Sequence, residues 1–316
     1  MSHNLVLSGG LGNQMFQYIA AREVLGDQFT IDSGYLYTSL GAGGIPEICD
    51  LNLIDTIKIN FSKKPYARRK IVNLILKLSS VWVARNWKQK IVIFIRPLLF
   101  RILNLIFFRE HRLITGKGIG WSTLDQSKAK PIILIGNFQS YLWVENSFKK
   151  YQGELNLKLS TEAVLKYKAL SKLEKPLIVH VRLGDFLEIP ELNVINKEYF
   201  KTAINELMNS KVSNKIWLFT NNVDLISSYI SDLDYQKCRI FSSENLTSAE
   251  TLQVMKLGSG YVLSNSTYGW WAAYLRENDE ARVAIPGNWY LTLPAPYKLI
   301  PDNWIKFDNN LGRGKK

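Results

Sequence analysis

The chain has 316 residues, 47% of them hydrophobic, 12% aromatic and 21% charged, which excludes a disordered chain and a small disulfide scaffold. Forty basic against 27 acidic side chains give a net charge of +13, but residues 61–112 alone carry 13 basic residues and a single acid, Glu110. Residues 1–60, with 2 basic and 6 acidic side chains, are acidic, so the chain is not a uniformly basic nucleic-acid binder and no nucleic-acid partner is expected.

At about 100–200 residues per domain the length predicts two domains. Cys49 and Cys238 lie far apart and show no metal-ligand spacing. The first residues lack the basic and apolar runs of a secretory signal, and no uncharged apolar stretch reaches the roughly 18 residues of a simple spanning helix.

Residues 4–8 read as a short buried strand, followed by the turn Gly9-Gly10-Leu11-Gly12. From Asn13 to about Leu25, Phe16, Ile19, Ala20 and Val24 recur at helical spacing, and Gln28–Ile31 reads as a second strand. In segment 61–112 apolar residues recur at helical spacing between cations, predicting two or three basic amphipathic helices with Pro97 as a kink or break. Pro131–Ile135 is a strand leading into Gly136-Asn137-Phe138-Gln139-Ser140, and Ser160 is placed to cap a helix to about Lys172.

Beyond that helix, strands at 177–182, 216–220, 239–241, 261–264 and 282–285 alternate with helices at 197–209, 223–230, 248–257 and 267–276. Apolar strands alternating with helices predict parallel sheets covered on both faces, in two α/β domains, 1–171 and 172–316.

Three motifs can carry chemistry. The glycine turn follows a strand and opens a helix, so backbone N–H groups at Gly10 and Gly12 and the Asn13 amide can meet an anion; a purely structural turn is the alternative. It is no dinucleotide fingerprint, because Met15 stands where a third glycine is required. His180-Val181-Arg182-Leu183-Gly184-Asp185 ends an apolar strand. Arg182 offers planar donors to phosphate and Asp185 can orient it or accept a proton; a structural Arg–Asp pair with His180 buried is the alternative. Asn265-Ser266-Thr267 precedes a helix and can cap it or hold an anion. Trp270 and Trp271 read as core. Asp232-Leu233-Asp234 resembles a metal-holding acidic pair but reads as solvated surface, and no metal is expected.

Taken together, these blocks resemble the bacterial α-1,2-fucosyltransferases, glycosyltransferase family eleven. The residues are GGLGNQMFQYIA at 9–20, GNFQS at 136–140, HVRLGDF at 180–186, ETLQVMKLGSGYVLSNSTYGWW at 250–271 and Pro286-Gly287-Asn288-Trp289-Tyr290. Three positions depart from the family pattern. Leu183 replaces the second arginine of an RR pair, Asn221-Asn222 replaces two acids, and Glu250 replaces an aspartate. Segment 61–112 has no counterpart in these motifs.

The resemblance implies a GT-B-like pair of Rossmann-type domains facing across a cleft, acceptor-side first and GDP-sugar-binding second. It implies inverting transfer of L-fucose from GDP-fucose, commonly to the 2-hydroxyl of a galactose in a glycan acceptor. No cofactor is expected beyond that donor. Gly10, Gly12, Asn13, His180, Arg182, Asn265, Ser266 and Thr267 become the expected donor contacts, and Arg182, Asp185 and Asn13 the expected catalytic group. Glu188 is a lesser candidate for the base. Segment 61–112 suits peripheral contact with an anionic membrane at the inner face of a bacterial cytoplasmic membrane, or else a helical subdomain with its cations in water. A transferase of different linkage and an inactive carbohydrate- or membrane-binding module are the rival readings.

Overall fold

The computed structural model describes residues 2–36, 46–61, 69–122, 124, 130–145, 148–209, 213, 215–230, 238–242 and 246–309. They form two compact units, Met1–Lys158 with Pro296–Ile300, and Leu159–Ala295 with Pro301–Lys316. Each is an α/β domain on a parallel sheet.

The first unit holds β1 (His3–Val6), α1 (Leu11–Leu25), β2 (Phe29–Asp32), β3 (Lys58–Asn60), α2 (Arg69–Ser79), α3 (Trp87–Phe107), β4 (Arg112–Thr115), β5 (Ile132–Ile135), α4 (Leu142–Glu145) and α5 (Phe148–Tyr151). Its five strands run parallel in the order β3-β2-β1-β5-β4. The strand order therefore reverses between β1 and β5. Ile132 to Ile135 are all fully buried, as expected of a strand covered on both faces.

The basic segment is the crossover from β3 to β4. Val72 and Ile75 of α2 and Leu103 of α3 pack with Val6, Ile133 and Ile135 of the sheet. Two helices form there, and α3 runs unbroken through Pro97 where the sequence predicts a kink or break. Proline removes one helix donor, but the inward face holds the helix on both sides of the gap. On that face Arg96 is buried and donates to the carbonyls of Val81 at 2.9 Å and Lys117 at 3.3 Å.

The second unit holds α6 (Glu162–Glu174), β6 (Pro176–Val181), α7 (Asp185–Glu188), α8 (Lys197–Asn209), β7 (Lys215–Thr220), β8 (Cys238–Phe241), α9 (Ser248–Met255), β9 (Gly260–Leu263), α10 (Thr267–Tyr274), β10 (Arg282–Pro286) and β11 (Ile305–Phe307). Six parallel strands lie in the order β11-β10-β9-β6-β7-β8, so the reversal falls between β6 and β9. Val179, Val181, Leu218, Val262 and Ala284 pack with Tyr199, Phe200 and Ala203 of α8 in the core. Trp270 and Trp271 are fully buried, as their reading as core requires.

Several details differ from the sequence reading. The units divide at Lys158/Leu159 rather than 171/172, because α6 docks on the second sheet. Tyr167 stacks edge-on against Trp217 and Phe241. The cap of α6 is Thr161, whose hydroxyl accepts from the Val164 N–H, and not Ser160. Residues 296–300 return to the first unit, where the Lys298 carbonyl accepts from the Tyr141 N–H at 2.8 Å. The helix expected at 223–230 is a single tight turn, Ile226–Ser228. Strands β3, β4 and β11, of three or four residues, are too short for an alternation pattern to show. Asp232 and Asp234 lie outside the described residues.

Candidate functional site

In open parallel sheets, ligands bind beyond the carboxyl ends of the strands where the strand order reverses. Each unit carries its sequence motifs at that point.

In the second unit, β6 runs into Arg182-Leu183-Gly184-Asp185 and its neighbour β9 into Ser264-Asn265-Ser266. The two loops are bonded together. Ser264 Oγ accepts from the Arg182 N–H at 3.1 Å and pairs with His180 Nδ1 at 3.1 Å. The Arg182 side chain is 36% exposed and meets Asp185 Oδ1 at 2.9 Å, and its guanidinium lies over the Phe186 ring. A guanidinium has five N–H donors, so one contact to a carboxylate oxygen leaves donors for a phosphate. Asp185 and Glu188 are exposed at the two ends of α7.

The loop is shaped by a residue that the sequence marks only as a departure from the family pattern. Asn221, at the end of β7, accepts from the Leu183 N–H at 2.8 Å and donates through Nδ2 to the Leu183 carbonyl at 3.1 Å. An aspartate can accept the first bond but, when ionised, cannot donate the second. Gly184 takes φ +61°, and a Cβ there would stand 2.9 Å from Asn221 Nδ2. Leu183 is fully buried, so the position of the family's second arginine is filled here by core. The one signal in the sequence was the asparagine pair standing in place of acids.

Two expected ligand contacts are buried and hydrogen-bonded within the protein. His180 is 5% exposed, packed beneath Tyr268 and against Gly269, where a Cβ would stand 2.7 Å from Nδ1. Burial, reinforced by the Arg182 charge, pushes its pKa down to about 3, so it is a neutral strut. Asn265 is buried, and its Nδ2 donates to the carbonyls of Leu192 at 3.0 Å and Trp289 at 2.9 Å. Its Oδ1 has no hydrogen-bond partner among the described residues. Ser266 caps α10, accepting from the Tyr268 N–H at 3.3 Å, and Thr267 opens the helix partly exposed. Arg182, Asp185 and Thr267 are thus at least partly exposed at this end of the sheet.

In the first unit, Gly9 takes φ +72° and Gly10 caps α1. The anion at this helix N-terminus is the protein's own carboxylate, because the Leu11 N–H donates to Glu47 Oε2 at 2.7 Å. A bound phosphate at Gly10 and Gly12 would have to share the turn with that charge, which counts against them as phosphate contacts. The motif's glutamines hold the turn. Gln14 donates to the Gly9 carbonyl at 2.8 Å and accepts from the Ile48 N–H at 3.1 Å. Gln17 accepts from the Ser8 N–H at 3.0 Å and donates to Ser8 Oγ at 2.7 Å. Asn13 Oδ1 accepts from Gln139 Nε2 at 3.0 Å, joining the glycine turn to the block after β5. Gln139 is buried, and its Oε1 lacks a partner among the described residues.

Among the described residues no group of three or more His, Cys, Asp or Glu side chains is assembled. No described helix is long and apolar enough to cross a membrane.

A model of glycosyl transferase family 11 matches residues 133–294, from β5 to beyond β10. The O-antigen biosynthesis glycosyltransferase WbnK of Escherichia coli is 22% identical over 318 residues, covering 95% of this chain and 98% of that protein. An α-1,2-colitosyltransferase of Escherichia coli is 19% identical over 135 residues, 41% of this chain and 47% of its own. Among solved structures, the fucosyltransferase NodZ from Bradyrhizobium aligns over 86% of this chain and 92% of its own at 12% identity, with a TM-score of 0.44.

Proposed function

The chain belongs to glycosyltransferase family 11, and on that premise we propose that it moves L-fucose from GDP-fucose to the 2-hydroxyl of a galactose, with inversion and without a metal. The acceptor is a surface glycan or lipid-linked oligosaccharide. The single observation that carries this reading is Arg182, backbone-bonded to the β9 loop and set where the second sheet reverses its order.

Breaking the bond at fucose C1 builds positive charge on the sugar and negative charge on the departing diphosphate. Preorganised donors serve the negative charge. The planar guanidinium of Arg182 supplies several N–H groups; the start of α10 at Ser266 and Thr267 supplies backbone N–H and hydroxyl groups. Asp185 holds the guanidinium in place. The acceptor proton passes late in the step to Asp185 or to a phosphate oxygen. Asn13 serves as a polar contact of the first domain. The names of the two Escherichia coli relatives support an O-antigen acceptor and an α-1,2 linkage.

A specific feature also supports peripheral contact with an anionic membrane. Trp87, Ile91, Phe94, Leu98, Ile102 and Leu105 of α3 are all exposed, Phe94 by 85%, and follow one another at steps of four and three residues. They form one stripe opposite the inward Arg96 and Leu103. Lys88, Lys90 and Arg101 are exposed on the same helix, and residues 61–109 contain no acid. At 1.5 Å per residue the helix is about 30 Å long. An apolar stripe edged by cations is the pattern of a helix lying in a lipid headgroup layer, at the inner face of the cytoplasmic membrane.

The test is transfer from GDP-fucose and from GDP-mannose to galactose-terminated acceptors, with and without EDTA, and product linkage by NMR. An α-1,2-fucoside formed equally in EDTA is expected. Transfer from GDP-mannose only, a different linkage, or loss of activity in EDTA would overturn the corresponding part. GDP-fucose binding with no turnover on any acceptor would instead favour an inactive binding module.

A further inference from the structure

A cavity of about 370 Å³ opens at the carboxyl ends of β2, β1 and β5 in the first unit, within the lower part of the ~300–1,000 Å³ range of small-molecule pockets. Its polar lining comes from separate parts of the chain: Asn13 of the glycine-turn helix, Asn137 beyond β5, Tyr35 beyond β2, and Asn73, Lys77 and Ser80 from α2 and its end. Leu36 and Leu76 add an apolar side, and among the described residues no carboxylate lines it. The Tyr35 hydroxyl donates to Asn73 Oδ1, orienting that amide.

The chemistry selects among ligands. Carboxamides both donate and accept, which matches the two-way hydrogen bonding of sugar hydroxyls. A diphosphate would demand several cations or a vacant helix N-terminus, whereas the turn beside this cavity already holds Glu47 on the Leu11 N–H. Asn13 is held in place by the Gln139 amide, whose Nε2 donates to Asn13 Oδ1 at 3.0 Å. Among the described residues, the ammonium of Lys77 is the one charge in the lining. Helix α2 also lies outside residues 133–294 matched by the family model.

We propose that this cavity receives the acceptor saccharide and that Lys77 gives it a preference for a glycan carrying a negative group. The proposal rests on the acceptor being a glycan, as above, but its test does not use the donor. Ligand-observed NMR on the full chain, with no nucleotide sugar present, uses lactose and 6′-sulfolactose as probes.

Both probes are expected to bind, the sulfated one more tightly. Ser80→Trp, which fills the cavity from its rim, should abolish binding of both while leaving the thermal midpoint unchanged. Lys77→Glu should weaken the sulfated probe about fivefold or more and the neutral one less than twofold. Binding of neither probe to the wild-type chain, or binding that survives Ser80→Trp, would overturn the proposal. Equal affinities untouched by Lys77→Glu would overturn its charge preference. If GDP-fucose were not a donor, the transfer assays would fail and these binding results would stand.

Discussion

Arg182 is positioned through its backbone before its side chain acts: the Ser264 hydroxyl fixes its N–H, and Asp185 then turns the guanidinium. If it takes the charge of the leaving diphosphate, Arg182→Ala should lower kcat about a hundredfold or more, since losing one such donor costs about 2.7–4 kcal/mol. Steady-state kinetics check this, and a kcat within a few fold of wild type would remove Arg182 from the chemistry. Asn221 acts one step back, by holding both polar groups of Leu183. Asn221→Asp keeps the accepting bond, loses the donating one and brings a carboxylate close to the Leu183 carbonyl. A buried hydrogen bond of this kind is worth about 1 kcal/mol or somewhat more, so a roughly tenfold fall in kcat is expected, with the GDP complex still forming. An Asn221→Ala variant that turns over like wild type would show that the clamp does not matter.

His180 gives a prediction of opposite character. Its folded pKa of about 3 lies below the ordinary 6.5, so on acidification the unfolded chain takes up this proton first. The stability this neutral imidazole supports is complete above about pH 6.5 and is lost as pH falls toward 3, by at most about 1.4 kcal/mol per pH unit. Urea midpoints measured from pH 4 to 7 should fall less steeply for His180→Gln than for wild type. Parallel slopes would mean that the imidazole is protonated in the fold. Arg182 was legible because a charged residue ending an apolar strand stands out. The surroundings of His180 and Asn221 are not legible in this way, because an imidazole near the end of a strand or an amide just beyond one looks alike in sequence whether it faces a ligand or the protein's own polar groups.

Helix α3 shows why amphipathic spacing can be read while its orientation cannot. Two arcs of α3 are apolar, one with Leu103 inward and one with Phe94 and Leu98 outward, and spacing alone does not say which arc the sheet claims. The sheet claims the arc of Arg96, whose guanidinium finds backbone carbonyls there. The remaining stripe is long for a surface kept in water, and isolated exposed apolar residues would not align in this way. Burying one large apolar side chain is worth up to about 1.5–3 kcal/mol. Phe94→Ser and Leu98→Ser should therefore each weaken vesicle binding by about tenfold in flotation with anionic liposomes, and leave the thermal midpoint in place. Unchanged flotation of the double variant would refute contact through this stripe. Helix α1 teaches the converse. Its glutamines at 14 and 17 are fully buried, and their spacing resembles nothing but a family signature until the glycine turn they hold is seen.

Across the molecule, both units repeat one plan, a parallel sheet whose order reverses at the strand that enters the motif. That plan was readable from alternating strands and helices, because buried parallel strands are apolar throughout. The return of residues 296–300 to the first unit was not readable, since it depends on single backbone bonds such as that of Lys298 to Tyr141. Net charge was readable, and it yields the final prediction. Residues 61–112 carry 13 basic residues and one acid, while 1–60 are acidic, so attraction to an anionic surface comes from one block. Each cation near such a surface contributes about 1 kcal/mol, within a screening length of about 8–10 Å at ordinary ionic strength. Raising salt from about 0.1 M to 1 M shortens that length to about 3 Å. Binding to vesicles containing phosphatidylserine should then fall steeply, and residual binding should depend on the apolar stripe alone. Transfer to a soluble acceptor, whose decisive donors are short-range hydrogen bonds, should change far less over the same range. Vesicle binding indifferent both to salt and to the anionic lipid fraction would mean that the cations of this segment face water for solubility alone.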